Sequence, residues 1–393
     1  MADAHASVRP MDVVGLRDLV EPRRDAFLAE LEAMVNVDSG SYTPDGVNRV
    51  VDRCEQLFLD AGWATDRRSH DGAPRLGDLL IARLDGTGDR RILLVGHTDT
   101  VFDAGTAAER PFTVDGSIAR GPGVSDMKGG LLTGMFAVHA LRDAGIDAFG
   151  HITYVCNPDE EIGSPFSGPV IRDLAAEHDV AFVLEGGRDN GDIVSSRKGI
   201  TDYTVTVHGR AAHAGVEPEK GRSAIVVAAD LTTRLQALNG RWPGVTVNVG
   251  TIHGGTRTNV VAERCTLEVD LRSPDAATLE EAERAIDAIC DSPSIRDVSV
   301  HVDRAGWHRP MERTDAIAAL AARASELAAE LGIDLHDAAT GGASDANTIA
   351  AVGTPVLDAL GPVGGDDHAP GEWIDVDSVV PRIAILAGLI GLP

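Results

Sequence analysis

The sequence predicts an α/β protein whose chain is interrupted by a smaller α+β unit, and three observations predict it. Short apolar runs such as "RILLV" and "VAFVL" alternate with helical stretches, as in a sheet covered by helices on both faces. From about residue 199 the strands alternate polar and apolar residues instead, as in a sheet with one wet face. After residue 308 the first pattern returns, so the middle unit reads as an insertion. The expected division is 1–198 and 309–393 for the α/β part and 199–308 for the insertion. A chain of 393 residues is also long for one core, and two domains make a cleft available.

Each element has its own warrant. "RDAFLAELEAMV" and "VNRVVDRCEQLFLDAG" carry apolar residues at helical spacing, and Gly62 stops the second. "GDLLIARLDG" and "RILLVGH" read as strands, the second apolar enough for the middle of a sheet. "GGLLTGMFAVHALRDAG" predicts a helix, "HITYVCN" a strand, "FSGPVIRDLAAEH" a helix and "VAFVLEGG" a strand. In the insertion, "TDYTVTVHG", "VTVNVGTIHGG", "RCTLEVDLRS" and "DVSVHVDR" are half-buried strands, separated by helical "RSAIVVAADLTTRLQALN" and "ATLEEAERAIDAICD". A helix over "TDAIAALAARASELAAELG", a short strand in "TPVLDAL" and a last helix over "SVVPRIAILAGLI" complete the α/β part.

Composition excludes some functions. With 61 acidic against 35 basic residues the formal net charge is −26, which argues against a nucleic-acid surface or a polybasic membrane anchor. Cys54, Cys156, Cys265 and Cys290 are scattered without CxxC spacing, as expected of reduced thiols in the cytoplasm. The N-terminus lacks the basic start and apolar run of a signal peptide, and "IAILAGLIGLP" is too short to span a bilayer.

Ligands of open α/β sheets collect beyond the carboxyl ends of the strands. His97 and Asp99 follow "RILLV", Glu160 and Glu161 follow "HITYV", Glu185 follows "VAFVL", and His368 follows the strand in "TPVLDALGPVGGDD". Between the first two, "GPGVSDMKGG" sets Asp126 among glycines that permit unusual turns. Singly, "HTD" also suits a loop cap and "DEE" a solvated turn. Imidazoles and carboxylates recurring at successive strand ends form instead the ligand set expected for zinc, as two ions. His97 would bind metal through one ring nitrogen while Asp99 accepts a hydrogen bond from the other.

These residues resemble the dinuclear zinc peptidases and deacylases, a family that includes glutamate carboxypeptidase, acetylornithine deacetylase, succinyl-diaminopimelate desuccinylase and aminoacylase. The resemblance runs from "GHTDTVF" through "GPGVSDMKGG", "NPDEEIGS", "LEGG" and "GRAAHAG" to "GGDDHAPGEW". It implies a catalytic domain with a helix-flanked mixed sheet, interrupted by a lid and dimerisation domain. It implies that His97 and Glu185 bind one zinc, that Glu161 and His368 bind the other, and that Asp126 bridges them. Glu160 would be the general base, and the bond from Asp126 to Met127 would be cis. His213, in "GRAAHAG", would stabilise the oxyanion, often from a partner subunit, so a homodimer through the insertion is expected. Loss of the base or a ligand would have favoured a non-catalytic binding protein, and the sequence keeps them all.

Within the family the glutamate carboxypeptidase branch matches best, through "TRTNVVAE", "WHRPM" and "TGGASDANTIAAVGTPVLDALGP". That match implies that Asn259, Arg309 and Thr340 hold the carboxylate of a C-terminal amino acid, with Arg309 as a bidentate clamp. One position departs: a lysine that folate-cleaving members carry eight residues after the acidic ligand falls on Ile193, and Arg188 or Lys198 would have to compensate. The expected substrate is a peptide or N-acyl amino acid with a free carboxylate, cleaved to release glutamate or a similar residue. The alternative is an N-acyl amino acid deacylase or dipeptidase with the same site.

Overall fold

The computed structural model describes residues 11–392, which form two compact units. One runs to Ser195 and resumes over Arg313–Ala339 and from Ser344; the other is Ser196–Glu312 with Thr340–Ala343.

The first unit is built on a six-stranded sheet in the order Ala64–Arg68, Leu79–Asp85, His151–Asn157, Arg91–His97, Val180–Val183, Val356–Leu357. The first three pair antiparallel and the last four parallel, so the sheet is mixed. Arg91–His97 lies inside it, and Ile92 to Val95 are wholly buried, as their unbroken apolar run requires. Register sets the functional rim: His97 pairs with Asn157 and Val95 with Val183, so Glu185 emerges level with His97.

Helix Pro44–Asp60 has proline in its first turn and buries Val47, Val50, Val51, Cys54 and Phe58 along one stripe. Phe58 there meets Trp63 and Tyr154, each at a ring separation of 5.0 Å. Helix Gly129–Asp143 is buried almost throughout and packs against Val376–Gly391, which also covers Asp315–Glu330. A helix hydrophobic nearly all round must lie inside a layered core. The strand Ala64–Arg68 was not anticipated, because its "ATDRR" is polar and its burial only alternates between partial and none at the edge of the sheet.

The second unit is an antiparallel sheet of four strands, Thr246–Gly254, Arg264–Ser273, Gly199–His208 and Ser299–His308 in that order. Tyr203, Val205, Val207, Leu267, Val269 and Leu271 alternate onto one face, which helices Ala224–Gln236 and Ala276–Cys290 cover. Fully burying such an aliphatic side chain contributes about 1.5–3 kcal/mol, so this unit has a core of its own. All four cysteines are free and buried. Among the described residues no helix is long and apolar enough to cross a membrane.

Candidate metal centre

The loop carrying Asp126 has to double back, and its glycines permit that. Gly123 has φ of +74°, and a Cβ there would sit 2.6 Å from Thr100 Cγ2. The peptide bond from Asp126 to Met127 is cis. The two carboxylate oxygens of Asp126 face different histidines: Oδ1 lies 2.9 Å from His97 Nε2 and Oδ2 3.0 Å from His368 Nε2. Glu185 Oε2 is 3.7 Å from His97 Nε2, and Glu161 Oε2 is 3.1 Å from His368 Nε2. One aspartate thus faces two histidines, each with a second carboxylate beside it.

Tetrahedral zinc bonded at about 2.0–2.2 Å holds its ligand atoms roughly 3.3–3.6 Å apart, close to these separations. Ligand atoms of His97, Asp126 and Glu161, and likewise of His97, Glu160 and Glu185, lie within 4.8 Å of one another. Glu161 Oε1 is buried without a hydrogen-bond partner, an acceptor that calls for a cation. The donor set therefore fits a divalent metal ion.

Protons respond to the same crowding. Burial pushes Glu160 well above the carboxylate range and Glu185 up to about 8, with neighbouring carboxylates adding to both. His368, hydrogen-bonded to Asp126 and Glu161, is raised to about 11. Burial opposes the charging of His97, but Glu185, Asp126 and Asp99 outweigh it and raise its pKa well above the ordinary value. Burial would also raise Asp126, yet hydrogen bonds from His368 and His97 hold it below its usual range.

Asp99 is buried beside His97, whose Nδ1 lies 3.0 Å from the Asp99 backbone oxygen and 3.4 Å from its carboxylate. That carboxylate accepts from the backbone N–H of Glu160 and of Glu161, both at 3.2 Å, and from Ser41 Oγ at 2.6 Å. It positions the Glu160–Glu161 turn as well as the imidazole.

Supporting residues absent from the sequence reading complete the site. Glu372, 1% exposed, accepts from the backbone N–H of Gly123, Ser125 and Asp126 at 2.8, 2.8 and 3.0 Å. It ties the segment that carries His368 to the loop that carries Asp126. Below the turn, Asp345 accepts from Asn157 Nδ2 at 2.6 Å and Ser164 Oγ at 2.7 Å. No periodicity marks these residues; the only signal was that Glu372 lies in the quoted "GGDDHAPGEW" and Asp345 in the quoted "TGGASDANTIAAVGTPVLDALGP".

The remaining candidates belong to the second unit. His213 is exposed, in a bridge with Val260. Asn259 is exposed and its carbonyl accepts from Ala214 N at 3.0 Å; the Thr340 carbonyl accepts from Lys198 N at 3.2 Å. Arg309, also exposed, has Glu280 at 3.7 Å. In the first unit Ile193 is wholly buried and offers a ligand nothing.

Comparison with known proteins finds similarity to peptidases and a deacetylase. Residues 195–298 match the peptidase dimerisation domain. Carboxypeptidase G2 of Pseudomonas sp. (strain RS-16) is 28% identical over 371 residues, covering 93% of this chain and 88% of its own. Acetylornithine deacetylase of Proteus mirabilis (strain HI4320) is 31% identical over 217 residues, 51% of this chain and 54% of its own. The crystal structure of a tripeptidase from Staphylococcus aureus superposes with a TM-score of 0.80 at 23% identity, over 93% of this chain and 97% of that one.

Proposed function

Because the chain is a hydrolase homologous to the M20 metallopeptidases and deacylases and carries their dimerisation domain, we propose that it cleaves an amide bond next to a free carboxylate, releasing a C-terminal glutamate or similar amino acid. The observation that carries the reading is Asp126, with one oxygen against His97 and the other against His368.

In this reading His97 and Glu185 would hold one zinc ion and Glu161 and His368 the other, with Asp126 as a ligand shared by the two. Zinc bound there would supply a water with its pKa lowered towards about 7 and would polarise the scissile carbonyl. Glu160 is the general base: it takes the proton of the attacking water and delivers it to the leaving nitrogen. His213 donates to the oxyanion of the tetrahedral intermediate. Arg309, Asn259 and Thr340 bind the substrate carboxylate, with Arg309 leaving its exposed contact to Glu280 to do so. Such an exposed pair is worth no more than about 1 kcal/mol, so a bound carboxylate displaces it readily.

The domain division stands within the same proposal, with 199–308 as the inserted unit between 1–198 and 309–393, and so does homodimerisation through the insertion. Free, buried cysteines support a cytoplasmic setting. The acetylornithine deacetylase match, together with an apolar, buried Ile193, favours a second reading: an N-acyl amino acid deacylase or dipeptidase.

The test is hydrolysis of a panel of peptides and N-acyl amino acids by the zinc-loaded protein beside its Glu160→Ala variant. Release of glutamate by the parent alone supports the carboxypeptidase reading. Hydrolysis confined to acyl groups on other amino acids moves the protein to the second reading. No hydrolysis with metal bound refutes both.

A further inference from the structure

Asp345 is a buried carboxylate that no cation neutralises. It opens the short helix Asp345–Ala350, is 3% exposed and forms no ion pair among the described residues. Burial pushes its carboxyl up to about 6, against the pull of hydrogen bonds from Ser164 and Asn157. A side chain that served packing alone would be less costly there as an apolar or amide group.

What the carboxylate holds is the turn that carries Glu160 and Glu161. Asn157, wholly buried, ends the strand before the turn, and Ser164, also buried, follows it. Asp345 Oδ2 accepts from Asn157 Nδ2 at 2.6 Å and Oδ1 from Ser164 Oγ at 2.7 Å, while Asn157 Nδ2 also donates to Ser164 Oγ at 3.0 Å. Both stems of the turn are thus tied to one side chain. Ser164 needs the tie, since its φ of +54° lies in the left-handed region that favours glycine. The stem at Asn157 is fixed in turn to the strand of His97: its carbonyl accepts from Thr98 N at 2.7 Å and from Thr98 Oγ1 at 3.0 Å. Asp99 holds the top of the turn through the N–H groups of Glu160 and Glu161, and Asp345 holds its foot. The anchor is itself braced, because Ser344 Oγ accepts from Ala346 N at 3.1 Å and donates to Asp358 Oδ2 at 2.6 Å.

We propose that Asp345 is a positioning residue for the hydrolysis: by tying Asn157 to Ser164 it fixes the Glu160–Glu161 turn, and with it the aim of the base Glu160 and of the ligand Glu161. Asp345 makes no hydrogen bond to either glutamate, so it acts through the turn. The inference rests on the proposed function only for what the two glutamates do; the hold on the turn is independent of it.

The test compares the full chain with three variants. Asp345→Asn keeps the shape but turns an amide donor towards Asn157 Nδ2, and adding Asn157→Asp restores donor against acceptor at that contact. Ser164→Gly removes the hydroxyl at a backbone conformation that glycine adopts without strain, and keeps the proposal open to refutation if Asp345→Asn does not fold. In the metal-free proteins, amide hydrogen exchange should speed up in peptides covering 158–165 for Asp345→Asn and Ser164→Gly, with the rest of the unit at parental rates. In the zinc-loaded proteins, kcat and kcat/KM on whichever panel substrate the parent cleaves should fall together by about 10- to 100-fold at little-changed KM, and recover in part in the double variant. Parental exchange in the turn, acceleration spread evenly through the unit, or a loss carried by KM alone overturns the positioning role. A parent that cleaves nothing refutes the proposed function instead, and the hold on the turn is then judged by exchange alone.

Discussion

Removing the Glu372 carboxylate should loosen the metal centre without touching a ligand. Its two oxygens accept three backbone N–H groups, from Gly123, Ser125 and Asp126, at 2.8 to 3.0 Å. Each buried N–H left unsatisfied costs about 1–3 kcal/mol. If water reaches one of the three in Glu372→Ala, the loss is about 2–6 kcal/mol. Glu372→Gln keeps an oxygen for Ser125 and Asp126 but turns an amide donor towards Gly123 N–H, a loss of about 1–3 kcal/mol. Groups that orient ligands typically contribute about 10- to 100-fold to metal affinity, so chelator competition should show a loss in that range for the alanine variant and partial recovery for glutamine. The metal-free proteins should differ in pH dependence as well. Burial raises Glu372 from 4.5 to about 7 against the pull of the three N–H groups. Its protonation therefore stabilises the metal-free fold fully below pH 4.5, and that contribution is lost as pH rises through 7. Melting curves of Glu372→Gln should lack this decline. An alanine variant whose metal affinity stays within about twofold of the parent would refute the positioning role, whatever its Tm.

Metal loading at pH 7 should release protons, because His368 at about 11 and Glu185 at about 8 hold protons there that ligation expels. Calorimetry in buffers of different ionisation enthalpy measures the number, apparent affinity should rise with pH below 8, and a release of zero would contradict the ligand assignment. Gly123→Ala should destabilise the fold by about 1–3 kcal/mol, since a φ of +74° strains any side chain and the new Cβ meets Thr100; an unchanged denaturant midpoint would show that the loop relaxes freely. Arg309→Met should raise KM roughly 10- to 100-fold at unchanged kcat, as expected for a lost charged hydrogen bond to bound substrate. A fall in kcat alone would move Arg309 from binding to chemistry.

What the sequence determined by itself was whatever depends on neighbours along the chain. Ile92 to Val95 form an unbroken apolar run, so a buried central strand with His97 at its end could be read directly. The alternation in "TVTVH" and "CTLEVDL" marked the wet-faced sheet of the second unit, because strand periodicity is a local property. His97, Asp126, Glu160, Glu161, Glu185 and His368 could be named from motifs that end in loops after strands.

Tertiary structure alone decided how these residues meet. Asp126 and His368 are far apart in sequence, and nothing local says that one carboxylate oxygen faces each histidine. Asp99 was expected to bond His97 through its side chain; the fold sets its carbonyl nearer and gives its carboxylate to the Glu160–Glu161 turn. The roles of Glu372 and Asp345 were invisible as well, since nothing local tells them from solvated acidic residues. Their roles come from burial, which strips away water and leaves each carboxylate dependent on whichever donors the fold brings within reach.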